Sequence, residues 1–449
     1  MHRCEKPPAL AAVPAAAYND RHRLRATRVV DVLASVLIAF SLSIGAMSVT
    51  ATPASATPSP HRIDGMRPDA PARAPFGPYA VGRETLRLTN PDVVNAVALE
   101  TGQGPARYDR PMTLSLFYPA RGPVEPSPMD SLLRDGTTRF QLLGQSAEGA
   151  PVADGGAGFP LIIISHGWPG NRFLLSHLAE NLATKGYVVA ALDHTDSTYD
   201  DQREAFCTLV HRPVDLHFAL DTLAEMAADG AHPVLSRTST GRVGVIGYSM
   251  GGYGVLAAQG GLLSPAALAN VPEAFAEALT AYTTAADSPD PALEPDPRIA
   301  AMISIAPWGR QVGLWESAGL ARIATPLMVV GGSEDDVSGY ETGIRQIWKD
   351  CSGTDRALLT FDNARHNAAA PIGPPAEALT EHPEHGWLPY EHYADPVWDS
   401  TRMHNIMQHH ATGFFDHYIR GQADAPDLAA AVEEEPILGT RFEFLAAGG

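Results

Sequence analysis

Residues 242–252 read RVGVIGYSMGG, an apolar run that stops at Gly247-Tyr248-Ser249-Met250-Gly251-Gly252 and leads into a Gly/Ala-rich stretch ending near Gln259. The string Gly-x-Ser-x-Gly is weak by itself, so its position carries the reading. Apolar β residues lead into it and a helical pattern leads out, which places Ser249 on a sharp strand-to-helix turn. Glycines flank the serine because a Cβ there would collide with the neighbouring strand and helix. Ser249 is therefore the candidate nucleophile, and the plainer alternative is a serine that caps the following helix.

Outward from this turn, short apolar runs alternate with amphipathic stretches. Phe159–Ser165, Tyr187–Leu192, Arg242–Gly247, Ile299–Ile305, Pro326–Val330 and Ala357–Phe361 are nearly all apolar and are bounded by Gly, Pro, Asp or Asn. Strands covered by helices on both faces have this character. Between them lie helical patterns such as Pro213–Ala228. The alternation predicts an α/β fold with a mostly parallel central sheet and helices on both faces. Residues 262–296 are Ala- and Pro-rich and break the alternation. They are expected to form a small helical insertion, a lid over the carboxyl edge of the sheet, against the alternative of an ordinary surface excursion. The domain is expected over 80–425, with 426–449 as a C-terminal tail.

The chain has 449 residues, 45% of them hydrophobic and 18% charged, enough for a sizeable core. Lys+Arg 32 against Asp+Glu 51 gives a net charge of −19, the opposite of the basic footprint that nucleic-acid binding requires. At the front, Arg21, Arg23, Arg25 and Arg28 precede an apolar run, Val32–Val49, and Ala54-Ser55-Ala56 follows it. This is the layout of an export signal cleaved after Ala56; an uncleaved membrane anchor is the alternative. Secretion is expected, with no stable membrane association after cleavage, and the Pro/Ala-rich residues 57–79 are expected to be a linker. Cys207 and Cys351 remain after the signal, as a disulfide or as two buried thiols.

A serine hydroxyl needs a base to take its proton and a third group to orient that base. Ligands in open α/β sheets sit at the carboxyl ends of the strands, so the residues just after each strand are the candidates. Pro326–Val330 runs into Gly331-Gly332-Ser333-Glu334-Asp335-Asp336, where both aspartates qualify by type. Ala357–Phe361 runs into Asp362-Asn363-Ala364-Arg365-His366, and His366 is the histidine placed directly after a strand. Phe159–Ser165 runs into His166-Gly167-Trp168-Pro169-Gly170. The backbone N–H groups of Trp168 and Met250 are the candidate oxyanion donors, and losing one such donor typically costs about 2.7–4 kcal/mol. Trp168, Tyr248 and Trp308 are candidate walls of an acyl pocket, or else core aromatics. The later histidines, His382, His385, His392, His404, His409 and His410, match no ligand spacing, so no metal and no cofactor is expected.

The stretch FPLIIISHGWPGNRFLLSHLAENLATKGYVVAALDHTDS, the motif Gly-Tyr-Ser-Met-Gly-Gly and the closing HYADPVWDSTRMHNIMQHHATGFFDHYI resemble α/β-hydrolases grouped with platelet-activating-factor acetylhydrolase and dienelactone-hydrolase-like esterases. The resemblance spans about residues 80–420. It implies an α/β-hydrolase fold and an ester hydrolase with Ser249 as nucleophile, His366 as base, and Trp168 and Met250 at the oxyanion hole. In the acetylhydrolase the acid follows the strand after the nucleophile's helix, which here ends Ser304-Ile305-Ala306-Pro307-Trp308 with no carboxylate. The stretch from Pro326 to His366 is similar instead to bacterial cutinase-type polyesterases, and Gly331 set on their Gly-x-x-x-Asp pattern selects Asp335 over Asp336. Cysteine-nucleophile dienelactone hydrolases are excluded by the serine at 249. The expected protein is a secreted serine ester hydrolase acting on small-molecule or polymeric esters. The competing readings are a serine peptidase or amidase on the same scaffold and a non-catalytic binding protein.

Overall fold

The computed structural model describes residues 59–156, 158–203, 205–381, 386 and 388–449; the expected signal and its cleavage point lie outside these residues. The six apolar runs become the six central strands of a ten-stranded sheet. In order across it, Arg356–Phe361, Leu327–Gly332, Ile299–Ile305, Thr238–Tyr248, Phe159–Ser165 and Val188–Asp193 are all parallel. Their central residues are nearly all apolar and buried, as parallel strands under two helical layers must be. Gly244 shows how the layers are divided. A Cβ on it would meet Phe415 and Ile419 on one face, whereas a Cβ on Gly247 would meet the backbone of Gly251 on the other. Side chains three apart along a strand point oppositely, so Ser400–Tyr418 and Met250–Ala257 cover opposite faces. Ser176–Thr184 packs beside the first and Ala205–Asp229 beside the second.

Beyond the parallel centre, the hairpin Ala80–Val94/Arg107–Ala120 adds two antiparallel strands next to Val188–Asp193, and Ser146–Glu148 closes that edge. The sequence reading does not place these strands, because polar residues alternate through them. A separate three-stranded sheet joins His61–Arg62, Arg139–Leu143 and Met129–Leu132.

Both ends differ from expectation. Residues from Pro60 onward belong to the compact unit that runs to Gly449, so 60–79 is not a free linker. Ile63 and Ala74 are buried, and Asn181 donates its side-chain N–H to the Ala74 carbonyl at 2.8 Å. A Pro-rich segment needs few ladder partners and can be held at such isolated points. The expected tail contains Thr440–Leu445, an edge strand antiparallel to Arg356–Phe361. The buried Arg356 guanidinium anchors it further by donating to the carbonyls of Ala446 and Gly449.

Residues 262–296 are short helical turns, Pro265–Asn270, Glu273–Ala278, Thr280–Tyr282 and Pro291–Leu293. They rest on the first turns of Ala205–Asp229: Phe275 lies against Phe206, and the Tyr282 hydroxyl donates to the Val210 carbonyl at 3.2 Å. Cys207 and Cys351 are both buried and unpaired, and burial pushes both thiols up.

Candidate active site

Ser249 sits between Thr238–Tyr248 and Met250–Ala257 with φ 53° and ψ −111°. A non-glycine residue at positive φ costs about 1–3 kcal/mol and persists only where its surroundings fix it. Here the Ser249 N–H donates to the Ile305 carbonyl at 2.8 Å, while the Ser249 carbonyl accepts from Tyr253 and Trp308. The flanking glycines are sterically required. A Cβ on Gly247 would lie 2.1 Å from the Gly251 oxygen, and one on Gly251 would lie 2.1 Å from the Ser165 oxygen. The turn can close only because both lack side chains.

Two further loops converge on this serine. His366 Nε2 lies 3.0 Å from Ser249 Oγ, and His366 Nδ1 lies 2.9 Å from Asp335 Oδ2. A carboxylate only accepts, so Nδ1 carries the proton and Nε2 is free to accept from the serine hydroxyl. Asp335 Oδ1 accepts from the amides of Val337 and Ser338 at 2.9 and 2.8 Å. Burial works to raise the Asp335 pKa, but His366 and these two amides more than offset it, leaving the carboxyl below its ordinary value. Asp336 points outward beside Arg365 at 3.7 Å. The acid and histidine loops approach closely at Gly332, where a Cβ would lie 2.3 Å from the carbonyls of Ala364 and Arg365.

Met250 opens its helix and Trp168 follows the strand Phe159–Ser165. Among the described residues, neither amide donates to a backbone or side-chain acceptor of the chain. Gly167 brings the Trp168 loop against the serine: a Cβ on it would lie 3.0 Å from the Tyr248 ring and 3.5 Å from Ser249 Cβ. The Trp168 indole N–H donates to the Arg203 carbonyl at 3.1 Å, and Trp308 is half-buried. Tyr248 is buried, its ring 5.3 Å from the His366 ring and its hydroxyl donating to Asn367 Oδ1 at 3.1 Å. It supports the imidazole from the side away from solvent.

Asn367 escapes the sequence reading. Its amide donates to the carbonyls of Glu391 and Ala394, tying the histidine loop to the segment 389–394. A larger omission lies behind Trp168. Ser165 Oγ, His194 and Asp215 form a second serine–histidine–carboxylate chain at 2.9 and 2.8 Å, all of it buried. Burial alone would raise Asp215, but Arg110, bound through two nitrogens, and His194 hold its pKa well below the carboxylate range. His194 is held neutral, with a pKa of about 4, first by burial and then by Arg212. Arg212 Nη1 donates to Ser165 Oγ at 3.1 Å, and Ser165 is wholly buried. This chain is an internal scaffold with no face for a substrate. Arg212 lies just before the helical pattern Pro213–Ala228 read from the sequence, on the helix Ala205–Asp229, and no sequence signal turns it inward.

The later histidines are spent individually. His404 donates to the Pro371 carbonyl at 2.7 Å, His392 pairs with the Tyr199 hydroxyl at 2.9 Å, and His410 stacks on Phe442. His382 and His385 lie outside the described residues. Among the described residues, no group of three or more His, Cys, Asp or Glu could hold a metal ion.

A family model described as PETase, PET hydrolase-like, matches residues 150–285, which include the Trp168 loop and Ser249. The cutinase est1 of Thermobifida alba is 26% identical over 262 residues, 56% of this chain and 71% of that protein. The bis(hydroxyethyl) terephthalate hydrolase of Streptomyces coelicolor is 26% identical over 217 residues, 48% of this chain and 53% of its own length. The solved structure of a ferulic acid esterase from Streptomyces cinnamoneus superimposes with a TM-score of 0.56 at 19% identity, over 86% of this chain and 100% of that one, a likeness of fold. By its fold and these matches, the chain is an α/β-hydrolase similar in sequence to PETase-like proteins and cutinases, and a carboxylic-ester hydrolase.

Proposed function

We propose that the chain is a secreted serine hydrolase that cleaves carboxylic esters through an acyl-enzyme on Ser249. The observation that carries this reading is the continuous line from Ser249 Oγ through His366 to Asp335 at 3.0 and 2.9 Å. As Oγ attacks the ester carbonyl, its proton passes to His366 Nε2, and Asp335 stabilises the resulting imidazolium. The carbonyl oxygen takes up the negative charge between the amides of Met250 and Trp168, both free to donate. When the tetrahedral species collapses, the proton moves from Nε2 to the leaving alkoxide and the alcohol departs. Water then repeats the sequence on the acyl-enzyme and releases the acid, with His366 again as base and then acid. No step in this sequence requires a cofactor.

Polyester-type and short-chain esters are the proposed substrates. The names of the relatives, cutinase and bis(hydroxyethyl) terephthalate hydrolase, support this choice. Hydrolysis of p-nitrophenyl esters of graded acyl length, set beside bis(hydroxyethyl) terephthalate and a p-nitroanilide, tests the substrate class. Preference for the anilide would overturn it in favour of an amidase. Ser249→Ala should abolish turnover and labelling by a fluorophosphonate while leaving the circular dichroism unchanged; a variant that still turns over would end the reading. N-terminal analysis of the exported protein should begin at Thr57.

A further inference from the structure

We propose that Arg212 is a positioning residue for this reaction, holding the Gly167–Trp168 peptide plane so that the Trp168 N–H faces the developing oxyanion. The inference rests on the oxyanion role given to Trp168 above. Arg212 is fully buried on Ala205–Asp229. Its Nη2 donates to the Gly167 carbonyl at 3.0 Å and to Ser197 Oγ at 2.6 Å. Its Nη1 donates to the His166 carbonyl and to Ser165 Oγ. Both terminal nitrogens are thus directed at the loop that carries Trp168 and at its neighbour. The nearest carboxylate partners belong to others, since Asp215 is bonded to Arg110 and His194. Among the described residues Arg212 Nε has no partner. This guanidinium is spent on two backbone carbonyls, of His166 and Gly167, and on two serine hydroxyls, all on the Trp168 loop, the strand before it and the loop beside it.

The Gly167 carbonyl has a second donor. His166 Nε2 accepts from the His194 amide at 3.2 Å, so its proton is on Nδ1, which lies 2.6 Å from the same carbonyl. The carbonyl and N–H of a planar trans peptide point in opposite directions. Fixing the Gly167 oxygen toward Arg212 therefore sends the Trp168 N–H the other way. Gly167 itself lies against Tyr248 and Ser249, and the oxyanion role given to Trp168 takes that other way to be the space beside the nucleophile. A charge-assisted bond to the carbonyl also polarises the amide and makes its N–H a stronger donor.

The test is Arg212→Gln and Arg212→Lys in the full chain, with rates expressed per Ser249 titrated to completion by a fluorophosphonate, so that unfolded protein is not counted. Removing one oxyanion donor costs about 10²–10³ in kcat, and misaiming one should cost Arg212→Gln about ten- to a hundredfold. KM should stay within about threefold, since the donor acts on the transition state. Arg212→Lys, which keeps one charged donor, should recover part of the loss. Affinity for a phenylboronic acid, whose tetrahedral adduct occupies the oxyanion site, should fall with kcat. Affinity for the planar carboxylate product should hold, as should the pH midpoint of kcat/KM. A kcat per titrated site within about twofold of the parent in both variants, or equal losses of boronate and carboxylate binding, overturns the proposal. Failure of the underlying reading is seen separately, as turnover by Ser249→Ala.

Discussion

Asp335 and Asp336 are adjacent, chemically equivalent and both within reach of the carboxyl edge by sequence, yet the backbone assigns them different work. The amides of Val337 and Ser338 close on Asp335 Oδ1 and leave Oδ2 for the imidazole, while Asp336 faces solvent beside Arg365. Asp335→Asn presents an amide that can donate to Nδ1 and reverse the tautomer, and a loss of about 10⁴ in kcat is expected for that change. Asp336→Asn should stay within about twofold, because a weak exposed ion pair is all that it removes. Steady-state rates of the two variants on one p-nitrophenyl ester check the ranking, and the reverse order would move the acid by one residue.

At the scale of elements, the turn around Ser249 is built on absent side chains. Gly251→Ala would drive a methyl into the Ser165 carbonyl from a distance of 2.1 Å, and backbone cannot yield as a flexible side chain can. The helix bearing Met250 must shift, so the variant should lose more than about 2 kcal/mol of stability and most of its activity, as thermal unfolding and turnover would show. The central strands were legible in the sequence because burial on both faces makes them continuously apolar. Ile299–Ile305 and Phe159–Ser165 appear with the bounds read from the residues. The hairpin Ala80–Val94/Arg107–Ala120 was not, since its alternating polar residues carry no such run. The edge strand Thr440–Leu445 was likewise too short and isolated to stand apart from a tail. Ser249 and His366 could be singled out because residue type and strand end coincide, and the structure brings them within 3.0 Å of each other. The contacts of Arg212 and Asn367 could not, because nothing in the sequence says which way those side chains turn.

Across the whole molecule, many histidines are buried neutral. Burial depresses His404 and His194 to about 4 and His410 to about 3. Above pH 6.5 these groups are uncharged in both folded and unfolded chains, and their contribution to stability is fully present. As pH falls below 6.5 the unfolded chain takes up protons that the folded chain refuses. Stability should then decline by about 1.4 kcal/mol per pH unit for each such histidine until the folded pKa is reached. Thermal midpoints measured from about pH 8 to about pH 4 should fall steeply once the pH drops below the ordinary histidine range, and a flat profile would mean that these rings are hydrated. The two unpaired thiols carry a practical corollary. No covalent cross-link joins the described residues through Cys207 or Cys351, so this fold owes nothing to an oxidant. Active protein should be obtainable from a reducing cytoplasm, and millimolar dithiothreitol should leave its melting temperature where it was.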